Sequence, residues 1–546
     1  MFVRVKKSGN NQYLQIVENR RENGKTRQRV ISTIGRLDRL QAKGDIETLV
    51  RSLSRFSDEV LMVLSGKSDL HTNAVKIGPT LIFERLWAQT GIKNILQGLL
   101  RDRQFQFNVE RAVFLTVLHR LFISGSDRFC DEWRRDYKIN GTEELSLHHL
   151  YRAMAFLGEE LKDQNDAIDF SPRRMKDIVE EDLFMERRHL FSDLELVFFD
   201  TTSIYFEGSG GEAIGRYGHS KDHRPDLKQM VVGVVLDSKG QPLCCEMWSG
   251  NTADVKTLIP VIKRMKKRFG IGRVIIVADR GMISKEVLSW LEEQDNNMEY
   301  ILGARMRKVV EVKRDVLSRS GSYHEVYPEK HGSKDPSPLK VKEVRIDNRR
   351  YIVCLNPAQA RKDAADRQAI IESLEHALKR GAKSLVGNKG YRKYLNIDKG
   401  SVSINLDKVK YEERFDGKWV LRTNTTLSAK DVALKYKELW QVEHIFRDMK
   451  SLLDTRPVFH QRDDTITGHV FCSFLALVLL KELNRRLSEA GYDFEWRKIT
   501  QDLKALQEIV IEEKEAQIVV RTECQGVSGK VFKAVGVALP PTIRAL

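Results

Sequence analysis

The stretch LELVFFD, Leu194 to Asp200, decides the fold of this chain. It is a short apolar run that ends in one acid, a pattern typical of a buried strand. The stretch KQMVVGVVLDSKGQPLCCEMW predicts two further strands joined by the turn DSKG, and VKTLIPVIKRMKKRF predicts an amphipathic helix. RVIIVAD predicts a buried strand that ends in Asp279, and KEVLSWLEEQ and EYILGAR predict a helix and a strand. The predicted order of elements is therefore β-β-β-α-β-α-β.

This order predicts an α/β fold with a ribonuclease-H-like catalytic core. In that architecture a right-handed crossover brings the first and fourth strands side by side in parallel. Because Asp200 and Asp279 are predicted to end these two strands, we expect their carboxylates to meet at the carboxyl edge of the sheet, where open α/β sheets bind ligands. Alternatively, Asp200 caps the turn before Thr201 and Asp279 forms an ion pair with Arg280.

A third acid lies on the stretch YKELWQVEHIFRDMK, which contains no Gly or Pro and predicts one continuous helix from Tyr436 to Lys450. Steps of 4, 3, 4 and 3 residues place five side chains on one face of this helix: Tyr436, Trp440, Glu443, Arg447 and Lys450. This face carries a single acid between aromatic and cationic side chains. An ion pair between Glu443 and Arg447 beneath an aromatic lid is the alternative interpretation.

The carboxylates of Asp200, Asp279 and Glu443 are expected to converge in this fold. Such a set can hold two divalent cations about 3.5–4 Å apart, which activate the nucleophile and stabilise the leaving oxygen of a phosphoryl transfer. Ligand sets made only of oxygen favour Mg²⁺ or Mn²⁺ over zinc. We therefore predict that these acids are both the metal ligands and the catalytic residues, with two Mg²⁺ or Mn²⁺ ions as cofactors.

Changes of sequence pattern predict further domains around this core. Residues 1–75 predict a basic β arm, and residues 76–190, with apolar side chains at helical spacing, predict a helical DNA-binding domain. The core occupies 191–304 and resumes at 426–485 with the Glu443 helix. Between these parts a β-rich insertion is predicted at 305–425, and a C-terminal region with a role in dimerisation at 486–546.

The insertion is predicted to contain three elements. The stretch KVKEVRIDNRRYIVCLN predicts a hairpin, and a long charged helix is predicted from about Ala358 to Lys379. The stretch KVKYEERFDGKWVLRTN predicts a second hairpin, which turns at Asp416 and Gly417 and carries Trp419.

Charge and composition favour a nucleic-acid partner. Lysine and arginine number 92 and aspartate and glutamate 76, which gives a net charge of +16 and a pI near 9.4; this favours nucleic acid first and an anionic membrane second.

The six cysteines lack the CxxC spacing of a zinc site, and a reducing cytoplasm fits. MFVRVKKSGN has no apolar h-region, so no signal peptide is expected. The apolar run Val470–Leu480 is too short to span a bilayer and predicts a buried helix, so no membrane partner is expected.

The sequence resembles the DDE transposases of bacterial insertion sequences. It is similar to the branch whose third acid lies in a Tyr-x2-Arg-x3-Glu-x6-Lys signature, because Tyr436, Glu443 and Lys450 stand at those spacings. VFFDTTSIYFEG around Asp200 and VADRGMIS around Asp279 resemble the first and second acid motifs of the family. The stretches GHSKDHRPDLKQMVVGVVLD and SGNTAD are also similar to family motifs, and a β-rich insertion before the third acid is typical of this branch.

This resemblance implies an enzyme that binds the terminal inverted repeats of its element, cleaves there with Mg²⁺ and joins the 3′-hydroxyls to target DNA. It implies a homodimer on DNA, because two ends are cut and joined together, and a cytoplasmic, nucleoid-associated bacterial protein. Cations near the metals are expected to meet phosphates, and aromatic side chains to stack on unpaired bases or to hold a flipped base. These expected DNA contacts are Tyr436, Trp440, Arg447, Lys450, Arg280, Trp419, His219 and Lys221. The alternatives are surface ion pairs for Lys450, Arg447 and Arg280, core packing for Tyr436 and Trp440, and a solvated loop for His219.

One residue departs from the signature, since Leu439 stands where relatives have an arginine that contacts a phosphate near the transposon end. Arg447 and Lys437 are candidates to replace it, and Leu439→Arg is expected to be tolerated. Two other functions stay open: a metal-dependent nuclease on the same fold, and a non-catalytic DNA-binding protein derived from a transposase. The insertion and the signature argue against the nuclease, and the presence of all three acids argues against the binding protein.

Overall fold

The structure is a computed structural model of the 546-residue chain. It describes residues 2–9, 11–22, 25–53, 71–123, 125–165, 167, 171–187, 196–270, 274–293, 298–327, 339–380, 392–398, 401–513 and 516–545. The chain divides into two compact units. The first comprises Met1–Arg85, Trp133–Ile139 and Arg486–Leu546, and the second comprises Leu86–Glu132 and Asn140–Arg485.

The N-terminal segment forms strands, as its alternating pattern predicts. Its elements are β1 (Phe2–Ser8), β2 (Asn11–Glu22), β3 (Lys25–Arg36), α1 (Leu37–Lys43), α2 (Asp45–Leu53) and β4 (His71–Lys76). β1, β2 and β3 form an antiparallel meander, with a bulge in the pairing of β2 with β3. β4 does not join this sheet within the described residues and pairs with a strand near the C-terminus.

The next segment is helical, as its apolar spacing predicts. It forms α3 (Gly78–Gln89), α4 (Ile92–Leu99), α5 (Val109–Phe122), α6 (Asp127–Trp133), α7 (Leu147–Gly158) and α8 (Met175–Glu186). Asn108 caps α5, since its side chain accepts a hydrogen bond from the Arg111 N–H, the usual cap of a helix N-terminus. α5 is buried along its whole length, and its Arg111 is neutralised by Glu110 in the same turn.

The predicted order β-β-β-α-β-α-β is confirmed. The elements are β5 (Leu196–Tyr205), β6 (Gln229–Asp237), β7 (Pro242–Ser249), α9 (Leu258–Phe269), β8 (Ile275–Ala278), α10 (Lys285–Glu292) and β9 (Glu299–Ala304). β5, β6 and β7 form an antiparallel meander, whereas β8 pairs in parallel with both β5 and β9. The first and fourth strands of this segment are therefore parallel neighbours, as predicted. Apolar side chains of α9 and α10 pack with those of the strands in one buried cluster.

The insertion continues this sheet. It forms β10 (His324–Val326), β11 (Leu339–Ile346), β12 (Arg349–Leu355), α11 (Pro357–Arg380), β13 (Leu395–Asp398), β14 (Ser401–Ile404), α12 (Leu406–Glu413) and β15 (Lys418–Thr423). The first hairpin and the long helix are confirmed. β15 pairs with both β12 and β9. Among the described residues the order of strands in this sheet is β10-β11-β12-β15-β9-β8-β5-β6-β7.

The second predicted hairpin is wrong, because most of KVKYEERF forms α12 instead of a strand. Asn405 caps this helix by accepting a hydrogen bond from the Lys408 N–H, and Val409 is buried against its neighbours. The Asn cap and the spacing of the buried side chains favour a helix over an edge strand. Trp419 lies on β15, opposite Cys354 of β12, and not beside a hairpin partner.

The remaining elements are α13 (Ala429–Lys437), α14 (Trp440–Arg447), α15 (Asp463–Glu489), α16 (Trp496–Lys504), β16 (Gln507–Glu513), β17 (Ala516–Arg521), α17 (Ser528–Val535) and β18 (Ile543–Ala545). The strands β18, β17, β16 and β4 form an antiparallel sheet. α15 contains Val470–Leu480, which is buried as predicted. Among the described residues it is the one helix long and apolar enough to cross a membrane, and 89% of its most apolar window is buried, as in the core helix of a protein.

A buried network of charges joins α8 to the sheet and to α9. Arg268 lies 2.7 Å from Glu180 and 3.2 Å from Glu246, and Arg264 lies 2.9 Å from Asp177. Lys176 lies 2.6 Å from Asp177 and donates to the Cys245 carbonyl. All these side chains are almost fully buried, so each depends on its partners for neutralisation.

Candidate active site

Asp200 and Asp279 lie at the same level of the sheet on neighbouring segments of the chain. Phe199 and Ala278 are the last residues paired between β5 and β8, and the two acids follow them directly. The prediction that Asp200 ends its strand is wrong, since β5 continues to Tyr205 through its pairing with β6. The predicted edge still forms, because β8 ends at Ala278 and the backbone turns there through Arg280–Met282.

The environment of Asp200 disfavours a negative charge. Burial raises the pKa of Asp200 to about 6, and the nearby carboxylates of Asp279 and Asp254 act in the same direction. The Lys221 ammonium and the Thr201 N–H, which donates to Asp200 at 2.7 Å, oppose this rise of the pKa. A group of acids this close together gains from a bound cation.

Tyr436 contacts the second acid directly. Its hydroxyl donates to Asp279 Oδ1 at 3.1 Å. Burial and the Asp279 charge raise the pKa of Tyr436, so the hydroxyl keeps its proton and acts as a donor. The ring lies over Gly303 of β9, where a side chain would overlap the Tyr436 hydroxyl. The predicted DNA contact Tyr436 is thus placed as a support for Asp279.

The stretch from Tyr436 to Lys450 is not one continuous helix, so that prediction is wrong. α13 ends at Lys437 and α14 begins at Trp440, and the Leu439 N–H bonds to the Tyr436 carbonyl in a tightened turn. Leu439 is 7% exposed and packs inward. Because nothing in the local propensities breaks this helix, packing of Leu439 against the protein interior accounts for the break. After α14 the backbone widens into a π-helical turn at Asp448–Leu452.

The five side chains of the predicted face have different surroundings. Glu443 and Arg447 are exposed on α14, which packs against β5 and β6, and the described part of the chain shows no ion pair between them. Trp440 is 56% exposed with its ring edge on His444. Lys450 is mostly buried, and its ammonium lies 2.9 Å from Asp222 Oδ1. No contact between Glu443 and the other two acids is found among the described residues, so their convergence stays a prediction.

A fourth acid, Asp254, belongs to the site and was missed by the sequence predictions. It begins the short helical turn Asp254–Lys256 that precedes α9, and it accepts a hydrogen bond from the Thr201 hydroxyl at 2.8 Å. A methyl group at Gly281 would lie 3.6 Å from Asp254 Oδ2 and 3.9 Å from Asp279 Oδ2, so both carboxylates border the same glycine. The family-like motif SGNTAD contains Asp254 and was its signal in the sequence. The motif alone does not show which side chains Asp254 contacts.

The other predicted DNA contacts surround these acids. The Lys221 ammonium lies 3.1 Å from Asp254 Oδ2, and exposed His219 lies beside Lys221 on the wall of a cavity of about 300 Å³. Arg280 is exposed directly after Asp279. Arg305, which was not predicted, donates to the carbonyls of Arg280 and Gly281 at 2.9 Å each and so fixes the turn that follows Asp279.

Trp419 lies at the same edge of the sheet as the acids. Its neighbour Val420 pairs with Ala304 at the end of β9, next to β8 and Asp279. The ring is half-buried on the sheet. This position agrees with a role near the site, although the hairpin on which it was predicted does not form.

Among the described residues, one group of three metal-ligating side chains has its ligand atoms close together, and it lies outside the acidic site: Asp127, His460 and His469. His460 Nε2 lies 3.0 Å from Asp127 Oδ2, and His469 Nδ1 lies 2.8 Å from the Arg120 guanidinium. Arg120 therefore occupies this buried cluster as its cation, and a second positive charge there would be repelled.

Comparison with known proteins identifies the family of the chain. Residues 192–479 match the family model described as the transposase DDE domain, and residues 3–67 match that of the N-terminal domain of IS1634 family transposases. No curated protein matches the chain. Among solved structures, a piggyBac transposase synaptic complex with hairpin DNA is similar over 78% of this chain and 79% of its own, with 11% identity and a TM-score of 0.38. The match over residues 192–479 spans more than half of the sequence and includes Asp200, Asp254, Asp279 and Glu443. The chain therefore belongs to the DDE transposases of insertion sequences.

Proposed function

We propose that this transposase binds the terminal inverted repeats of its element, cleaves at the element ends and joins the 3′-hydroxyls to target DNA in a cut-and-paste reaction. We infer that β7-β6-β5-β8-β9 is a ribonuclease-H-like core that carries the reaction centre. The observation that supports this most strongly is the pair Asp200 and Asp279, which directly follow the last residues paired between the parallel strands β5 and β8 and lie in a single acidic site.

Asp200, Asp279 and Glu443 are the residues that would hold two Mg²⁺ or Mn²⁺ ions. The donor set fits such ions, because it consists of carboxylate oxygens and because burial and neighbouring acids make the negative charge of Asp200 unfavourable without a cation. When bound, the ions supply activation of the attacking hydroxyl and stabilisation of the leaving oxygen. The same acids serve cleavage by water and joining by the DNA 3′-hydroxyl.

The chain's own residues orient the acids and bind the substrate. The Tyr436 hydroxyl holds one oxygen of Asp279, so the other oxygen is directed to a ligand. Arg280 and Arg447 are exposed cations suited to DNA phosphates, and exposed Trp440 is suited to stacking on a base. Trp419 at the same edge is the proposed support for a flipped base.

The remaining assignments follow from the reaction and from charge. The net charge of +16 supports binding of DNA as both substrate and target. We assign the basic β arm (1–75) and the helices within 76–190 to end binding, and the C-terminal region (486–546) to dimerisation on DNA. A cytoplasmic location at the nucleoid is part of this proposal.

The test uses supercoiled plasmid carrying the DNA that flanks this gene. The protein is incubated with Mg²⁺ or Mn²⁺, and the 3′ ends and any joined products are mapped by sequencing. Glu443→Gln is expected to abolish cutting and joining while end binding persists, and Glu375→Gln, which alters an exposed acid on α11, is expected to behave as wild type. Cuts at matched repeats followed by joining support the proposal.

Three outcomes would contradict parts of it. Cutting at unrelated sites without joining would indicate the nuclease. Binding of the repeats without cutting by folded wild-type protein would indicate the non-catalytic binder. Loss of end binding in Glu443→Gln would assign Glu443 to DNA contact or folding instead of metal binding.

A further inference from the structure

Lys221 is not a mobile surface lysine, because its ammonium is held at the acidic site. It donates to the Thr201 carbonyl at 2.6 Å and to the Thr201 hydroxyl at 2.9 Å, and it lies 3.1 Å from Asp254 Oδ2. These partners account for all three of its N–H donors. Thr201 follows Asp200 in β5, and the positive charge of Lys221 acts to lower the pKa of Asp200.

The loop that carries Lys221 is anchored on both sides of that residue. The Lys221 N–H donates to the Ser203 hydroxyl at 2.8 Å. The next residue, Asp222, is mostly buried and bonds through Oδ1 to Lys450 at 2.9 Å and to Arg456. On the other side Gly218 lies so close to the Gly250 carbonyl that a side chain there would collide with it.

Consecutive side chains of this loop therefore bond to different elements around the site. Lys221 reaches the strand that carries Asp200, and Asp222 reaches Lys450, which follows the helix that carries Glu443. His223 then adopts a left-handed backbone conformation with φ of 57°, which is uncommon outside glycine and fixes the direction of the loop. This geometry holds the Lys221 ammonium at a fixed position beside Thr201 and Asp254.

The Lys221 ammonium lies near three acidic side chains and borders a cavity. Asp200, Asp254 and Asp279 lie close together, so a cation there is attracted to all three. The cavity of about 300 Å³ beside Lys221 is also lined by His219, Arg305 and Gly281. Its size is at the lower end of the range of ligand pockets, and its cations suit a phosphate.

We propose that Lys221 is a substrate-binding residue of this site: it competes with divalent cations for the carboxylates in the DNA-free protein and contacts a DNA phosphate in the adjoining cavity once the ions are bound. Asp254 is its positioning residue, which holds the ammonium beside Asp200. This inference rests on the proposed function for its DNA step, whereas the competition with cations concerns the protein alone.

Titration calorimetry of the DNA-free, full-length protein with Mn²⁺ tests the competition. Removing the ammonium in Lys221→Met is expected to tighten Mn²⁺ binding by roughly threefold to tenfold, because one positive charge leaves the acidic cluster. Lys239→Met, which alters an exposed lysine in the turn between β6 and β7, is expected to leave Mn²⁺ binding unchanged. Equal affinities of wild type and Lys221→Met, or no binding by either over the whole titration, would overturn the competition.

Single-turnover cleavage of end DNA tests the substrate contact. Lys221→Met is expected to slow cleavage by roughly 10- to 100-fold despite its tighter Mn²⁺ binding, and Lys221→Arg to recover part of that loss because it keeps the charge. Asp254→Asn is expected to slow cleavage in the wild-type background but to have no further effect in Lys221→Met. An added loss in the double variant would show that Asp254 acts independently of Lys221.

The two readouts separate this inference from the proposed function. If wild-type protein cuts the repeats and Lys221→Met neither binds Mn²⁺ more tightly nor cuts more slowly, the inference is overturned and the transposase reaction stands. If Lys221→Met binds Mn²⁺ more tightly but wild-type protein cuts nothing, the competition is upheld and the proposed reaction is refuted.

Discussion

Replacing Gly303 by alanine is expected to disconnect Tyr436 from Asp279. Gly303 lies in β9 beneath the Tyr436 ring, where a Cβ atom would overlap the hydroxyl oxygen and lie 3.1 Å from Cζ and 3.2 Å from the Arg280 backbone nitrogen. The backbone atoms belong to the paired sheet and the turn after Asp279, so the tyrosine ring is the part that can move. Its movement breaks the hydrogen bond of 3.1 Å to Asp279 Oδ1.

The size of the effect follows from that bond. A hydrogen bond to a charged acceptor contributes about 1.5–3 kcal/mol, which corresponds to a loss of roughly 10- to 100-fold in cleavage rate if Asp279 must be oriented for metal binding. The added methyl group also overpacks the sheet surface, at a cost of about 1–3 kcal/mol in stability. The protein is therefore expected to fold, to unfold at a lower temperature and to cleave slowly.

The assay is metal-dependent cleavage of end DNA under single-turnover conditions, with end binding and unfolding temperature measured in parallel. Tyr436→Phe removes the hydroxyl without adding bulk and is expected to lose a similar part of the activity. In that background Gly303→Ala is expected to cost less than it does in wild type, because the overlapping oxygen is gone. Gly98→Ala serves as the control, since a methyl group there meets nothing within 4 Å.

Two results would refute this reasoning. Full cleavage activity in Gly303→Ala would show that the hydroxyl bond does not position Asp279. Loss of end binding with an unchanged cleavage rate for bound DNA, in Tyr436→Phe, would assign Tyr436 to DNA contact, as the sequence resemblance implies.

Other parts of the structure give three further predictions. The expectation from the sequence that Leu439→Arg is tolerated is revised, because Leu439 is buried. This substitution is expected to lower the free energy of unfolding by more than about 2 kcal/mol in urea titration, because it places a charge at a buried position without a partner; wild-type stability would show that this turn opens to solvent. Glu246→Ala is expected to cost about 3–5 kcal/mol in the same measurement, because Arg264 and Arg268 lose a buried acid, and a loss below 1 kcal/mol would show that water or other acids replace it. The raised pKa of Asp200 makes the metal-free folded protein bind a proton that the unfolded chain releases between about pH 4 and 6, so stability falls as pH rises through that window. Asp200→Asn is therefore expected to raise the unfolding temperature of metal-free protein at pH 7 but not at pH 4, and an equal rise at both would indicate an effect of packing.

The sequence predicted those features that depend on local pattern. The apolar runs before Asp200 and Asp279 and the amphipathic helix between them specify the strand order and its parallel pair, because handedness and alternation leave few other arrangements. The buried α15 followed from the unbroken apolar run Val470–Leu480 in the same way. The family motifs then directed attention to Asp200 and Asp279, which follow the last residues paired between β5 and β8.

The features that were missed depend on contacts between distant residues. The break at Leu439 arises from packing that local propensities do not encode, and it changes which side chains share a face with Glu443. Asp254 and Lys221 are separated by 33 positions along the chain and meet only when the loop after β5 folds onto the start of α9. Likewise, β15 was predicted to pair with the stretch directly before it in a hairpin, whereas its partners are the more distant strands β9 and β12.

The central claim is that Asp200, Asp279 and Glu443 bind the metal ions directly, and cysteine substitution tests it most directly. Each acid is replaced by cysteine in turn, and cleavage of end DNA is measured with Mg²⁺ and with Mn²⁺. Because Mg²⁺ demands oxygen ligands and Mn²⁺ accepts a thiolate more readily, activity is expected to vanish with Mg²⁺ and to return in part with Mn²⁺ for these three positions. Asp254→Cys is expected to show no such return. Failure of Mn²⁺ to restore Glu443→Cys, or its restoration of Asp254→Cys, would contradict the assignment of the metal-binding acids.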